Sequence, residues 1–167
     1  MSVQPILELA AKKNGIKSVL LTCNTIEELA YNLRIVPHRN GYGILYFAFH
    51  GYPGGIMMAA DRAKLETIAE FMGKRFSNWI VYFGSCNTLR IRKSRIFKFM
   101  EKTKVLMTIG YRKRAFWTES SALELLLLDL IQEYKDMRKF WNRFRERYRS
   151  LIRMTGLATF HNGNNTK

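Results

Sequence analysis

The sequence contains two short apolar runs that decide its fold, Ile44-Leu-Tyr-Phe-Ala-Phe49 and Trp79-Ile-Val-Tyr-Phe83. The first run is followed at once by His50-Gly51, and the second by Gly84-Ser-Cys86. Runs this short, rich in aromatic and β-branched residues, are typical of buried strands. If the two strands are parallel neighbours, both chains leave at the carboxyl edge of the sheet, where ligands of open α/β sheets bind. A thiol and an imidazole delivered there are a candidate nucleophile and base.

Further strands and helices alternate around these two runs. Strands are predicted at Lys17–Cys23 and Val105–Ile109, and a short, locally paired strand at Ile56–Ala60. A basic amphipathic helix is predicted over Thr88–Met100. Capping residues predict three other helix starts, at Thr25, Asp61 and Ser121. Two of these have the spacing of a capping box, Thr25 with Glu28 and Ser121 with Glu124. The alternation predicts an α/β fold, with helices on both faces of a mostly parallel sheet and right-handed crossovers.

Composition limits the classes of protein to consider. The 167 residues suit one ordinary domain. No apolar run approaches the roughly 18 residues that cross a bilayer, and the N-terminus lacks the pattern of a secretory signal, so we expect a cytoplasmic protein without a transmembrane segment. Cys23 and Cys86 form neither a disulfide framework nor a metal-ligand cluster with the three histidines, so we predict no metal and no other cofactor.

The charge is strongly positive. The chain has 28 lysines and arginines against 13 acidic residues, which gives a net charge of +15. Such a surface suits nucleic acid, an anionic membrane or an acidic protein as partner, and a basic but otherwise ordinary surface is equally consistent with it.

The two reactive residues also have structural interpretations. A single cysteine is most often a small buried hydrophobic residue, and a histidine at a strand end is usually a satisfied polar group. Cys23, which has no histidine of its own nearby in sequence, is interpreted as a core residue. For Cys86 and His50 the shared context, one apolar strand before each, favours catalysis.

At these residues the sequence resembles the caspase-like (clan CD) cysteine peptidases, a class that includes caspases, gingipains, separase and the bacterial CHAT-domain proteases. In that class a His-Gly pair follows one strand, and the cysteine follows the next strand after a small residue. Phe49-His50-Gly51 and Gly84-Ser85-Cys86-Asn87-Thr88 are most similar to the CHAT type. Val105–Tyr111 and Trp117–Ala122 resemble the strand and substrate-side loop that follow, and the likeness covers roughly residues 17–134.

The resemblance implies a fold and a reaction. The fold would be a caspase-like three-layer α/β/α sandwich, with a catalytic domain over residues 1–134. The reaction would be endopeptidase cleavage of a protein substrate, with His50 as general base, Cys86 as nucleophile, and the backbone N–H groups of Gly51 and Cys86 as oxyanion hole. A regulated bacterial defence response is the implied setting. Because the chain is short for such an enzyme, an activating protein partner is expected.

Three residues are candidates for substrate binding. Glu119 could line a pocket for a basic substrate residue, although a cap or surface role is the commoner one for such a residue. Trp117 and Tyr111 could form the wall of that pocket, and packing in the core explains them equally well.

The C-terminal region differs in composition. Residues 135–160 are predicted to form a basic, aromatic-rich helix packed on the catalytic domain, and residues 161–167 a flexible tail. Arginines interleaved with aromatic residues suit nucleic acid or an acidic protein, whereas an amphipathic helix with its rings inward is the structural alternative. Two other functions therefore stay open, a catalytically inactive caspase-like scaffold and a basic nucleic-acid-binding α/β domain.

Overall fold

A computed structural model describes residues 4–14 and 16–161 of the chain. The helices and strands in chain order are α1 (Gln4–Asn14), α2 (Ile26–Ile35), β1 (Ile44–Phe47), β2 (His50–Tyr52), β3 (Gly55–Met57), β4 (Arg62–Lys64), α3 (Leu65–Met72), β5 (Ile80–Phe83), α4 (Lys93–Thr103), β6 (Met107–Tyr111), α5 (Trp117–Ile131), α6 (Met137–Arg147), α7 (Arg149–Thr155) and β7 (Leu157–His161). Short 3-10 turns cover Val36–His38 and Gly73–Phe76.

The main sheet has the strand order β1-β5-β6-β7. The first three strands are parallel, and β7 is antiparallel to β6. All four residues of β5 are buried, as expected of a central strand in a parallel sheet. The prediction of an α/β fold with a mostly parallel sheet and helices is therefore confirmed.

The main sheet separates two hydrophobic clusters. Val81 and Phe83 of β5 pack in the cluster that contains residues of α2, α3 and α4. Ile80 and Tyr82 pack in the cluster that contains residues of α5 and α6. Since neighbouring residues of a strand point to opposite faces, β5 is covered by helices on both sides.

A second, smaller sheet lies between β1 and α3 in the sequence. Its three antiparallel strands have the order β2-β3-β4. Tyr52 and Gly55 flank the two-residue turn Pro53-Gly54, in which Gly54 has a φ of 83°. Proline followed by a left-handed glycine is the pattern of a type II turn, so this sequence folds locally into a hairpin. A short, locally paired strand is thus present as β3, but it ends at Met57, so the strand predicted at Ile56–Ala60 is confirmed only for its first two residues.

The prediction of a strand at Lys17–Cys23 is wrong. Residues 16–24 have no regular structure, and β1 is the terminal strand of the main sheet on that side. Two apolar residues of the segment nevertheless contact the core, because Leu21 and Cys23 pack against the hydrophobic cluster of α2 and α3. Partial burial of these two side chains therefore occurs here without backbone pairing, while Val19 and Leu20 are exposed.

Two predicted helix caps need correction. Asp61 does not start α3, because β4 intervenes; its carboxylate instead accepts a hydrogen bond of 2.9 Å from the N–H of Ile26, at the start of α2. Ser121 does not start α5, which begins at Trp117 after the N-cap Phe116. The cap predicted at Thr25 is confirmed, since its side chain accepts from the N–H of Glu28.

The C-terminal region is not a single helix. It contains α6, α7 and the strand β7, which adds to the main sheet beside β6. Gly156 ends α7 in a left-handed conformation with a φ of 72°, and this reverses the chain into β7. His161 belongs to β7, and the rest of the predicted tail lies outside the described residues.

The domain boundary at residue 134 stays a prediction. In the described ranges, no helix combines the length and apolarity required for a membrane span.

Candidate active site

His50 and Cys86 follow neighbouring parallel strands at equivalent positions. Phe47 of β1 is in register with Phe83 of β5, and the N–H of Gly84 donates to the carbonyl of Phe47 at 3.1 Å. Each reactive residue comes three positions after its strand's last residue. Both chains therefore emerge at the same edge of the main sheet, as the two apolar runs predict.

The hairpin that begins with His50 packs directly on the loop that carries Cys86. A Cβ added at Gly51 would overlap the carbonyl oxygen of Cys86, and would lie 2.5 Å from Thr88 Oγ1 and 2.9 Å from Ser85 Cβ. Only a residue without a side chain allows the two backbones to approach this closely. Glycine after the histidine is therefore required by the packing of the site.

Thr88 joins the hairpin to the Cys86 loop by hydrogen bonds. Its hydroxyl lies 2.7 Å from Ser85 Oγ and donates to the carbonyl of Gly55 at 3.2 Å, and its own carbonyl accepts from the N–H of Gly54 at 3.0 Å. Thr88 and Ser85 are both buried. Because buried hydrogen bonds of this kind fix one arrangement of the backbones, Thr88 sets the position of the hairpin relative to Cys86.

The thiol of Cys86 is half-buried under the loop that precedes α5. The N–H of Ala115 donates to Cys86 Sγ at 3.5 Å, and the thiol donates to the carbonyl of Ala115 at 3.7 Å. His50 is exposed, and within the described part of the chain its imidazole has no hydrogen-bond partner. The site therefore combines a thiol held by backbone contacts with an exposed imidazole that makes no hydrogen bond within the described ranges.

Both side chains line one cavity of about 950 Å³. Its wall also includes residues of the 16–24 segment, β1 and the first turns of α5, with Tyr46, Trp117, Ser120 and Glu124 among them. A cavity of this size is in the range of sites for small ligands or peptide side chains.

The backbone N–H of Gly51 is directed away from its neighbouring strand. Tyr52 and Gly55 flank the tight turn and form a hydrogen-bonded pair, so the next pair, Gly51 and Ile56, is the type without hydrogen bonds. β2 is also an edge strand of its sheet. The N–H of Gly51 therefore points out of the hairpin on the side where no strand pairs with it.

Sequence reasoning missed a buried acidic group beneath this edge. Glu124 is only 4% exposed, and its carboxylate accepts hydrogen bonds of 2.9 Å from the hydroxyls of Tyr46 and Tyr111. The Tyr82 hydroxyl lies 3.0 Å from that of Tyr111. Burial raises the pKa of the Glu124 carboxyl, and the tyrosine hydrogen bonds offset part of that rise. The signal available in the sequence is a carboxylate directly before the apolar run Leu125–Leu128, a position that fits a capping box equally well.

The candidate substrate residues have different locations. Tyr111 is 1% exposed and donates to Glu124, so it lies beneath the cavity and cannot form its wall. Trp117 is 50% exposed and lines the cavity. Glu119 is half-buried in the first turn of α5, and it is not among the residues that line the cavity. Of the three, Trp117 alone is placed to contact a ligand there.

Cys23, interpreted from the sequence as a core residue, lines the same cavity as Cys86. Its sulfur accepts a hydrogen bond of 2.9 Å from the side-chain amide of Asn32. Burial raises the pKa of the Cys23 thiol above its ordinary value, so less of this thiol is ionised to the reactive thiolate at neutral pH.

Residues 1–161 match the family of unknown function DUF6642, and the chain therefore belongs to that family. A search of curated proteins finds no match to the chain.

Proposed function

We propose that the chain is a caspase-like cysteine endopeptidase of the CHAT-like kind, with Cys86 as nucleophile and His50 as general base, acting in a regulated bacterial response. One observation carries this proposal: both side chains line a single cavity at the carboxyl edge of adjacent parallel strands. Open α/β sheets bind ligands at this edge, and a thiol beside an imidazole is suited to acyl transfer.

The reaction would start with attack of the Cys86 sulfur on the carbonyl carbon of a peptide bond. The S–C bond forms, the thiol proton passes to His50, and the carbonyl oxygen becomes an oxyanion. Collapse of this intermediate breaks the C–N bond, and the imidazolium returns the proton to the leaving amine. Water then attacks the thioester, His50 accepts a proton from that water, and the acid product leaves while the thiol regains the proton.

The oxyanion would be stabilised by backbone groups at the edge of the sheet. The N–H of Gly51 points out of its hairpin, next to the loop of Cys86. The first turn of α5 also contributes to the cavity wall, and the N-terminal end of a helix favours negative charge. Donors fixed before the reaction contribute more than donors that must reorient, so this backbone arrangement supports an acyl-transfer reaction.

The chain offers a matched control for the test, because its two cysteines line the same cavity. We expect a peptide-based thiol electrophile to label Cys86, and a peptide library analysed by mass spectrometry to be cleaved. Cys86→Ala should abolish both results, whereas Cys23→Ala should preserve them. His50→Asn should reduce cleavage by about 100-fold or more. Cleavage by Cys86→Ala at the wild-type rate would remove the proposal.

A non-catalytic scaffold is the second candidate, and one observation favours it. The His50 side chain is exposed, and no residue in the described ranges holds its ring in a fixed orientation. A catalytic base normally has its ring fixed by a hydrogen bond to the nitrogen that does not react. The scaffold predicts that Cys86 is no more reactive toward the electrophile than a free cysteine, with or without added protein partners.

A further inference from the structure

The loop between β6 and α5 covers the thiol of Cys86 and carries a cluster of positive charge. Its sequence, Arg112-Lys-Arg-Ala-Phe116, has three consecutive basic residues that are all exposed. The carbonyl of Lys113 accepts from the N–H of Asn87 at 3.3 Å, and both backbone groups of Ala115 contact the Cys86 sulfur. Any ligand bound to this loop is therefore next to the candidate nucleophile.

Neighbouring elements extend the positive charge of the loop. Lys113 Nζ donates to the carbonyl of Arg153 at 2.8 Å, which places the loop against the end of α7. Arg149 lies one turn before Arg153 on the same helix face, and Arg90 follows closely on the Cys86 loop. These exposed residues form what we call the basic surface, consisting of Arg90, Arg112, Lys113, Arg114, Arg149 and Arg153. None of the six is in an ion pair within the described ranges.

Exposed aromatic rings adjoin the basic surface. Phe116 is 70% exposed and Trp117 is 50% exposed, and only Ala115 separates them from the three basic residues of the loop. By contrast, Phe140 and Phe144 of the arginine-rich helix α6 are fully buried in the core. The two exposed rings beside the basic surface therefore lie at the end of the loop over Cys86 and at the start of α5, whereas Phe140 and Phe144 of α6 have the inward packing that is the structural alternative for that helix.

We propose that the basic surface binds single-stranded nucleic acid, with phosphates on the arginines and a base stacked on Phe116 or Trp117, and that the bound strand shields Cys86. The shielding concerns the site of the proposed function and depends on that function for its biological meaning. Exposed rings beside arginine are the arrangement by which proteins hold unpaired bases and backbone together.

The structure favours nucleic acid over the other polyanions. A peripheral membrane helix needs an exposed apolar face, and the apolar residues of α6 are packed in the core. An acidic protein would use the arginines and leave the two rings without a specific role. Unpaired bases, in contrast, use both the charge and the flat aromatic faces.

Binding is measured by fluorescence anisotropy with labelled oligothymidylate of about 20 nucleotides. We expect Arg112→Gln/Arg114→Gln to weaken binding about tenfold and to reduce the slope of log affinity against log salt by about 1.4. Arg34→Gln/Lys74→Gln is the matched control, because it removes the same charge from exposed residues whose side chains make no hydrogen bond or ion pair within the described ranges. Equal loss in both double variants would overturn the assignment to this surface.

The competing partners are tested in the same assay. Vesicles of equal parts phosphatidylcholine and phosphatidylserine, and poly-glutamate at matched charge, should compete poorly with the oligonucleotide. Trp117→Ala should weaken oligonucleotide binding and leave any residual binding to poly-glutamate unchanged. Competition by vesicles or poly-glutamate as strong as that by unlabelled oligonucleotide would overturn the choice of nucleic acid.

Shielding of the thiol is measured separately, by the rate of alkylation of Cys86 with iodoacetamide in a Cys23→Ala background. Saturating oligothymidylate should slow the reaction at least about threefold, because it covers the loop under which the thiol lies and so limits access of the reagent. An unchanged or faster rate would overturn the shielding. These measurements do not depend on peptidase activity. Tight binding of the oligonucleotide by a protein whose Cys86 is inert would count against the proposed function alone. Peptide cleavage by a protein that does not bind the oligonucleotide would count against this inference alone.

Discussion

Gly51 is the residue at which the two parts of the candidate site touch. Its Cα faces the carbonyl of Cys86 and the side chains of Ser85 and Thr88, all within the space that a methyl group would need. Since Ser85 and Thr88 are buried, neither can move aside at low cost.

Gly51→Ala should therefore separate the hairpin from the Cys86 loop. We expect a loss of about 1–3 kcal/mol in the free energy of unfolding, the usual range for overpacking, with loss of Cys86 labelling by a peptide electrophile. Urea denaturation and labelling kinetics measure the two effects. Gly43→Ala is the control, because a Cβ at Gly43 meets no atom within 4 Å, and it should change stability by no more than about 0.5 kcal/mol. Equal stability and labelling in both variants would contradict this packing.

Glu124 makes the stability of the protein depend on pH. Burial raises the pKa of its carboxyl above the ordinary value of 4.5, so the folded state holds its proton more tightly than the unfolded chain. The resulting stabilisation is complete below the ordinary pKa. It is lost as the pH rises through the raised, folded-state pKa.

Glu124→Gln should remove this part of the pH dependence while keeping the shape of the side chain. The stability of wild type relative to Glu124→Gln should fall with rising pH above 4.5, by no more than about 1.4 kcal/mol per pH unit for one proton. Urea unfolding curves between about pH 4 and about pH 8 measure the difference. Glu101→Gln is the control at an exposed position on α4, and its stability relative to wild type should be nearly independent of pH. If the stability of wild type relative to Glu124→Gln instead rose with pH, the pKa of Glu124 would be lowered in the folded state, which would contradict this prediction.

At the scale of elements, the site depends on how the β2–β3 hairpin is attached to the loop after β5. Thr88 makes that attachment through its hydroxyl, which reaches Ser85 Oγ and the carbonyl of Gly55. Thr88→Val keeps the shape of the side chain, but it leaves the buried hydroxyl of Ser85 and the carbonyl of Gly55 without the hydrogen bonds that the Thr88 hydroxyl makes. We expect a loss of about 1–3 kcal/mol, with reduced reactivity of Cys86.

Thr88→Ser is the matched variant, since it retains the hydroxyl and removes one methyl group. It should lose less stability than Thr88→Val, and it should keep Cys86 labelling near the wild-type rate. Chemical denaturation and electrophile labelling of the two variants give the comparison. If Thr88→Ser were the more damaging change, methyl packing would be what holds the hairpin in place.

The elements themselves were predictable to different degrees. β1 and β5 were predicted because short aromatic and aliphatic runs bounded by glycine have few other uses in a buried core. The segment of residues 16–24 has the same pattern, yet it makes no ladder, since side-chain burial alone does not determine backbone pairing. β7 was missed because its residues, Leu157–His161, follow a long helical stretch without proline, and pairing with β6 is a long-range interaction.

At the scale of the whole molecule, the sequence predicted that His50 and Cys86 leave the same edge of the sheet. It could do so because a parallel sheet places all strand ends on one side, whatever the details of the connections. It could not predict that Glu124 and Tyr111 lie buried together beneath the site. That contact joins α5 to β6, and a single carboxylate in the sequence has the same appearance in a cap as in a core.

The net charge of +15 should also make the stability of the whole protein depend on salt. Like charges repel one another in the compact state, and this repulsion is screened as the Debye length shortens from about 30 Å at 10 mM to about 10 Å at 0.1 M salt. Salt also weakens the ion pairs Arg95–Glu66, Lys102–Glu70 and Arg143–Glu146, but these are exposed and worth little. Repulsion should dominate, so salt should stabilise the fold.

We expect the Tm to rise by about 2–4 °C over this range of sodium chloride, which corresponds to a gain of about 1 kcal/mol. Thermal unfolding followed by circular dichroism measures it, on protein whose ultraviolet spectrum shows no bound nucleic acid. Arg34→Glu/Lys74→Glu reverses two exposed positive charges away from the site, and it should reduce the salt effect. A Tm that falls with salt would mean that favourable ion pairing outweighs repulsion.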